Sequence, residues 1–137
     1  MAVTAVLVII SIIGTMGSAI EAREIQEPSP AIEPNQTFTT VFEIRGVKDG
    51  AYKILFEASP ADFSFSGAVV LQGTPYPALY YYRWGDVIPI KKEMRHVLEV
   101  SLAPTSKGDI RGQTFSEKIT FISGRYAYSK KHLIKID

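Results

Sequence analysis

The sequence predicts an all-β fold, an antiparallel β-sandwich of seven or eight strands that is preceded by one N-terminal hydrophobic helix. Three observations lead to this prediction. Residues 2–20 carry no charge and no proline, whereas residues 37–137 divide into short segments of alternating apolar and polar side chains. Turn-forming residues separate these segments. The aromatic content of 11% is also typical of strands.

The uncharged N-terminal stretch reads AVTAVLVIISIIGTMGSAI and has the length of a membrane helix. A helix rises about 1.5 Å per residue and a bilayer core is about 30 Å thick, so these residues just suffice to span it. A core helix of a soluble domain would carry a polar face, which this stretch lacks. The residues expected inside the membrane are Ala5, Val6, Leu7, Val8, Ile9, Ile10, Ile12 and Ile13.

The same stretch also fits a secretory signal peptide that is removed from the mature chain. Residues 5–13 would form its apolar region, and the small residues that follow would suit a cut after Ala19 or Ala22. A basic segment before the apolar region is missing, which disfavours this alternative. A retained anchor is favoured by the helix-forming residues 21–27, which would extend one helix until Pro28 stops it. The acidic flank of that helix favours an extracytoplasmic position for the rest of the chain.

The domain organisation follows from these segments. Residues 1–27 are predicted as the hydrophobic helix with a polar extension, residues 28–36 as a proline-rich linker, and residues 37–137 as one β-sandwich domain. Asn35 begins an Asn-Gln-Thr triplet, which is an acceptor sequence for N-glycosylation in an exported protein. Asn35 is therefore a candidate glycosylation site.

Two neighbouring segments predict an antiparallel hairpin. Residues 38–45 and residues 51–58 both have the two-residue period of a strand, and the side chains expected to face inward are Phe38, Thr40, Phe42, Ile44, Tyr52, Ile54, Phe56 and Ala58. The GVKDG sequence at residues 46–50 contains an Asp-Gly pair, which is a strong hairpin turn signal. We therefore expect the two segments to pair with each other.

The remaining segments complete the predicted sandwich. Pro89 interrupts one of them and indicates an edge position, because proline cannot donate to a strand ladder. The number and spacing of segments resemble an immunoglobulin-like or fibronectin-like sandwich, although the Cys-Trp-Cys signature of antibody domains is missing. Further strands are expected over residues 63–72, 78–84, 94–102 and 114–122, and shorter extended segments over residues 87–90, 125–129 and 131–136.

Composition argues against several function classes. The formal net charge is +1, whereas a nucleic-acid-binding domain would carry a basic surplus. The chain has no cysteine, so it offers no thiolate nucleophile or thiolate metal site. It also lacks a nucleophile elbow, a phosphate-binding glycine loop and a calcium loop. We therefore expect no catalytic residue, no cofactor, no metal site and no enzymatic activity.

Two histidines are the only imidazoles in the chain. His96 falls on the apolar face of a predicted strand, which indicates a hydrogen-bonded structural residue. His132 follows Lys130 and Lys131, and this basic run indicates a solvated strand edge. Lysines at an edge usually prevent pairing, and the alternative is that residues 130–137 add as a strand to a neighbouring subunit.

An aromatic cluster at residues 76–84 is the candidate interaction surface. In a strand, Tyr80, Tyr82 and Trp84 share one face, which we expect in the core, and Tyr81 lies on the other. Tyrosine supplies large, rigid contact area at interfaces and stacks on sugar rings. The predicted surface residues are Tyr76, Tyr81 and Arg83.

The plan of a hydrophobic N-terminal helix followed by a cysteine-free β-sandwich resembles archaeal type IV pilin-like proteins, including archaellum components. The resemblance covers the whole chain but includes no specific motif. It departs from these proteins in two features: no basic leader precedes a processing site, and no glutamate lies near the start of the apolar helix. The resemblance implies a filament subunit whose helix packs in the filament core.

The sequence thus supports one main hypothesis and two alternatives. The main hypothesis is a non-enzymatic cell-envelope protein, a structural or assembly subunit that is membrane-anchored and acts through protein–protein contacts, including self-association. One alternative is a secreted binding module for a glycan or other ligand, released by signal-peptide cleavage. The other is an accessory subunit of a membrane enzyme complex.

Overall fold

The computed structural model describes residues 18–61, 63–73, 76–105 and 108–137, and residues 76–80 by their backbone alone. The membrane-helix residues predicted between Ala5 and Ile13 lie outside these ranges. Within the ranges, we find no helix with the length and apolar character needed to cross a bilayer. The strands are β1 Ile20–Gln26, β2 Ala31–Ile32, β3 Phe38–Gly46, β4 Gly50–Ser59, β5 Phe65–Gly73, β6 Tyr76–Tyr81, β7 Ile88–Ile90, β8 Arg95–Pro104, β9 Thr114–Ser123 and β10 Tyr126–Ile136.

The strands form two five-stranded sheets. The first, sheet A, has the order β1-β3-β8-β5-β6, and the second, sheet B, has the order β2-β10-β9-β4-β7. Neighbours are antiparallel except β2 and β10, which run parallel. The predicted all-β, mainly antiparallel class is confirmed. β7, which contains Pro89, is an edge strand as predicted.

The inner faces of the two sheets pack against each other. Phe42 of β3 in sheet A contacts Phe121 of β9 in sheet B, with ring centroids 5.0 Å apart. Phe38 and Phe115 make a second contact of this kind at 5.4 Å. The aromatic rings of alternating residues therefore form one core between the sheets.

The predicted hairpin between the segments now seen as β3 and β4 is wrong. β3 pairs with β1 and β8 in sheet A, whereas β4 pairs with β7 and β9 in sheet B. The connection at residues 47–49 crosses from one sheet to the other. Asp49 accepts a hydrogen bond from the backbone N–H of Lys92 at 2.9 Å, so it ties two loops together. The Asp-Gly pair does not close a two-residue turn.

The prediction that residues 21–27 continue an N-terminal helix is also wrong. Ile20–Gln26 forms strand β1, which pairs with β3 at the edge of sheet A. Ile20 and Ala22 alternate inward and are buried, whereas Glu21 and Arg23 point outward. A strand buries every second side chain of this segment in the core, and the free energy gained by that burial outweighs the helix propensity of the segment.

The segment predicted as a linker takes part in sheet B. Strand β2 lies within it and pairs with the end of β10, and Ile32 is buried in the core. The fold therefore includes residues well before residue 37. Strand β10 lies between β2 and β9 and is not a bare edge along its whole length.

Candidate functional site

The predicted aromatic surface lies at the edge of sheet A formed by β6. Tyr81 is 66% exposed, and Arg83 is also exposed. Tyr82 is buried, and Trp84 stacks on Phe56 with ring centroids 5.1 Å apart. This inward and outward alternation matches the prediction. The side chains of Tyr76 and Tyr80 lie outside the described part of the molecule.

The backbone of β6 presents hydrogen-bonding groups at this edge. The N–H of Tyr82 donates to the carbonyl of Val69 on β5 at 2.9 Å. Because donors alternate along an antiparallel strand, the N–H of Tyr81 points away from β5. Among the described residues, no strand pairs with β6 on that side. Tyr81 and the strand edge therefore lie together on one surface.

Asn35 lies in an exposed turn. Its φ of 64° is in the left-handed region, which asparagine adopts more readily than most residues. The turn is closed by a hydrogen bond of 3.0 Å from the Gln36 N–H to the Glu33 carbonyl. This position is accessible for a glycan, and glycosylation stays a prediction.

A second polar region joins β1 to the β9–β10 hairpin of the opposite sheet. The N–H groups of Ala22 and Glu24 donate to the hydroxyl oxygens of Tyr126 and Tyr128, at 3.1 Å and 3.2 Å. The N–H of Ala19 donates to the Ser123 hydroxyl at 3.0 Å. We call these contacts the seam, together with those of His132 described next. They occupy donors that an edge strand would otherwise present to another chain.

His132 lies in the seam between two carboxylates, one from each sheet. Its Nε2 is 2.7 Å from Glu24 Oε2, and its Nδ1 is 3.3 Å from Glu117 Oε1. Glu117 is completely buried and also accepts a hydrogen bond of 2.7 Å from the Thr40 hydroxyl. His132 Nδ1 and the two Oε2 atoms lack well-aligned hydrogen bonds, so we regard the histidine contacts as ion pairs.

Burial raises the pKa of Glu117 above its ordinary value of 4.5, while Thr40 and His132 oppose this effect. The two ring nitrogens of His132 thus each face one carboxylate across the seam. The arrangement can therefore hold β1 against sheet B by charge. Among the residues that the structure describes, no group of three acidic or histidine side chains has the geometry of a metal site.

The prediction that His132 is a solvated edge residue is wrong, since its side chain is only 14% exposed. Sequence reasoning also missed Glu24 and Glu117. One signal was present: Glu117 takes the inward position in an alternation that otherwise places Phe115 and Ile119 in the core. A charged residue at such a position indicates a buried partner.

His96 is a structural residue, as predicted. It is completely buried, and its Nδ1 lies 2.7 Å from the Tyr52 hydroxyl. The two residues come from different sheets, β8 and β4. This hydrogen bond therefore links the sheets through the core.

Comparisons with known proteins give no family for the chain. No protein-family model matches it. No curated protein matches at the required significance.

Replacing Tyr126 or Tyr128 by phenylalanine is expected to reduce the free energy of unfolding by about 1 kcal/mol each, because a β1 donor loses its acceptor. Amide hydrogen exchange at Ala22 should accelerate in Tyr126→Phe, and exchange at Glu24 in Tyr128→Phe. Tyr81→Phe, at an exposed tyrosine, is the control and should change neither quantity. Unchanged exchange in β1 would show that the hydroxyls do not hold that strand.

Proposed function

We propose that the chain is a non-enzymatic subunit of a cell-envelope assembly. Residues 1–17 would hold it in the membrane, and the β domain would lie outside and act through protein contacts. The two packed sheets are interpreted here as an immunoglobulin-like sandwich, in line with the resemblance to pilin-like proteins. The observation that carries the proposal is the edge of β6 with exposed Tyr81 and Arg83 beside it.

The four sheet edges differ in how open they are. β1 has its outward donors bound by the seam. β2 has two residues and β7 has three with a central proline, so both offer short edges. β6 has six residues, and although Pro77 is its second residue, the following four form the longest edge without a proline apart from β1, with the N–H at Tyr81 pointing outward. Among the described strands, β6 is therefore best suited to strand addition.

A second copy of the chain is the partner that we assign to this edge. Two β6 strands can pair in an antiparallel arrangement about a two-fold axis, which is the commonest symmetry of homo-oligomers. The exposed Tyr81 side chains would then add contact area on one face of the joined sheets. Longer assemblies would require a further contact, for which packing of the N-terminal segments is the proposed source.

Tyr81→Pro tests this contact in the full-length chain in detergent. Proline removes the outward N–H but spares the ladder to β5, so the monomer fold should persist. Two hydrogen bonds would be lost per dimer, at about 1 kcal/mol each, so dimerisation should weaken by about thirtyfold. Sedimentation equilibrium measures the dissociation constant, and circular dichroism checks the fold.

Two variants serve as controls for that experiment. Tyr81→Ala keeps the backbone donor and should weaken dimerisation less than Tyr81→Pro does. Leu133→Ala changes a side chain that is equally exposed, at 66%, on the outer face of sheet B and should have no effect. A monomeric wild-type chain, or equal effects of all three variants, would refute pairing through β6.

The second candidate is a secreted module, and one observation bears on it. The fold includes Ser18, Ala19 and Ile20, so these residues of the apolar stretch are not available to a membrane helix, which needs roughly 17–25 residues. The apolar region at residues 5–13 fits the length of a signal peptide. A secreted form should begin at or before Ser18, and N-terminal sequencing of the mature protein distinguishes the two.

A further inference from the structure

The N-terminal segment joins the domain at one end, between two of its turns. The Ala19 carbonyl accepts a hydrogen bond of 2.8 Å from the Val47 N–H in the β3–β4 connection. The Ala19 N–H donates to Ser123, where β9 ends. The β7–β8 connection is fixed to the same end, because Gly46 N–H donates to the Met94 carbonyl at 2.7 Å. These three connections surround Ser18 and Ala19, the first residues that the structure describes.

Cations outnumber acids on these three connections. The exposed charged side chains there are Lys48, Lys91, Lys92 and Arg125 against Asp49 and Glu93. The loop that carries Lys91 and Lys92 is held in place by hydrogen bonds to Asp49 and Gly46, so its charges have a defined position. The end of the domain at which Ser18 and Ala19 lie is therefore basic.

The opposite end has the reverse charge. Its connections meet where the Asp137 N–H donates to the Ile32 carbonyl and the Gly112 N–H donates to the Ile136 carbonyl. The exposed charged side chains described there are Glu27, Glu33, Asp109 and Asp137 against Arg111. The described residues thus give the domain a basic end, where Ser18 and Ala19 lie, and an acidic end opposite to it.

We propose that the basic end lies against the anionic headgroups of the membrane that holds residues 1–17. This inference rests on the proposed membrane anchoring. Ser18 already belongs to the fold, and one residue of chain spans at most about 3.6 Å, so the chain between Ser18 and the membrane residues expected up to Ile13 is short. In this arrangement the basic side chains can come within the screening length of about 8 Å at physiological salt. The acidic end would face away from the headgroups.

Lysine acetylation of the full-length chain in vesicles tests the proposal. We compare vesicles of phosphatidylcholine alone with vesicles that also contain phosphatidylglycerol. Each basic residue near an anionic membrane surface strengthens the association of the domain with that surface by about fivefold. Acetylation of Lys91 and Lys92 should therefore slow by at least about fivefold in the anionic vesicles. Lys131 and Lys135, exposed on the outer face of sheet B, should react equally in both.

A pair of double variants checks that the basic turns create the contact. Lys91→Gln/Lys92→Gln should restore most of the acetylation of Lys48 in anionic vesicles. Lys131→Gln/Lys135→Gln removes the same charge elsewhere and should leave the protection of Lys48 unchanged. Protection in the wild-type chain should also disappear at 1 M salt, where the screening length is about 3 Å.

Extraction with alkaline carbonate separates the two proposals. If the chain resists extraction but Lys91 and Lys92 are not protected, or Lys135 is protected equally, the orientation is refuted and the anchoring stands. If the chain is extracted into the supernatant, the anchoring is refuted and the orientation with it. Retention in the membrane with selective protection of Lys91 and Lys92 supports both.

Discussion

Replacing His132 by alanine is expected to reduce the free energy of unfolding at pH 7 by about 3 kcal/mol. The substitution removes the group that lies between the carboxylates of Glu24 and Glu117. Both carboxylates are almost or completely buried, so they would remain in the seam without an opposing charge. Denaturant titration followed by tryptophan fluorescence measures the change, with Trp84 as the single tryptophan.

The pH dependence distinguishes this electrostatic cost from a simple loss of packing. Burial raises the pKa of Glu117, so the folded chain keeps that proton at pH values where the unfolded chain has lost it. The free energy of unfolding therefore falls as the pH rises from 4.5 to the pKa that Glu117 has in the folded chain. At higher pH it stays at the lower level. Without His132, the pKa should rise further, because a stabilising cation is absent. The loss in free energy of unfolding caused by His132→Ala should thus be smaller at pH 4 than at pH 7.

Lys131→Ala is the matched control for that measurement. It changes the neighbouring residue of β10, whose side chain is exposed on the opposite face. Its effect should stay within about 0.5 kcal/mol at both pH values. An equal deficit for His132→Ala at pH 4 and pH 7 would show that the histidine acts by packing and not by charge.

Strand positions could be predicted from the sequence because burial in a two-sided sheet imposes a period of two residues. The inward side chains predicted for residues 38–45 are all buried in β3. Strand partners could not be predicted in the same way. Alternation specifies which face of a strand is buried. The sequences of β3 and β4 would show the same alternation whether the two strands paired in one sheet or lay in opposite sheets. The pairing of β3 with β1 and β8, and of β4 with β7 and β9, shows that the chain crosses between the sheets at residues 47–49.

The candidate site was harder to predict because its members are distant in sequence. Tyr81 and Arg83 followed from local alternation within one segment. Glu24 and His132 come from the two ends of the chain and meet only because β1 lies against the β9–β10 hairpin. The segment that forms β1 has strong helix propensity and was predicted as a helix, so the partners of Glu24 could not be recognised.

The seam gives the N-terminal strand a mechanical role. Any force on residues 1–17 would pass directly into β1, which is held by β3 through its backbone and by β10 through side chains. The first described residues, Ser18 and Ala19, are already buried, so the described chain enters β1 directly from the core. Under the proposed anchoring, this connection would allow the N-terminal segment to orient the β6 edge.

Replacing Ile20 by alanine is the second substitution with a large expected effect, a loss of about 3 kcal/mol in the free energy of unfolding. Ile20 is 1% exposed and lies in the core at the start of β1. Ile25→Ala is the control, because Ile25 belongs to the same strand and is 46% exposed, so its loss should be below about 1 kcal/mol. Thermal or urea unfolding of the two variants provides the comparison.

This pair of variants also decides where the chain can be cut. A mature protein beginning at Arg23 would lack Ile20 and the Ala22 N–H that donates to Tyr126. The loss would exceed that of Ile20→Ala, and it is a large part of the roughly 5–15 kcal/mol that stabilises a typical domain. If Ile20→Ala proved as mild as Ile25→Ala, β1 would be dispensable and cleavage after Ala22 would again be compatible with the fold. A large difference between them requires that β1 stays attached in any working form of the protein.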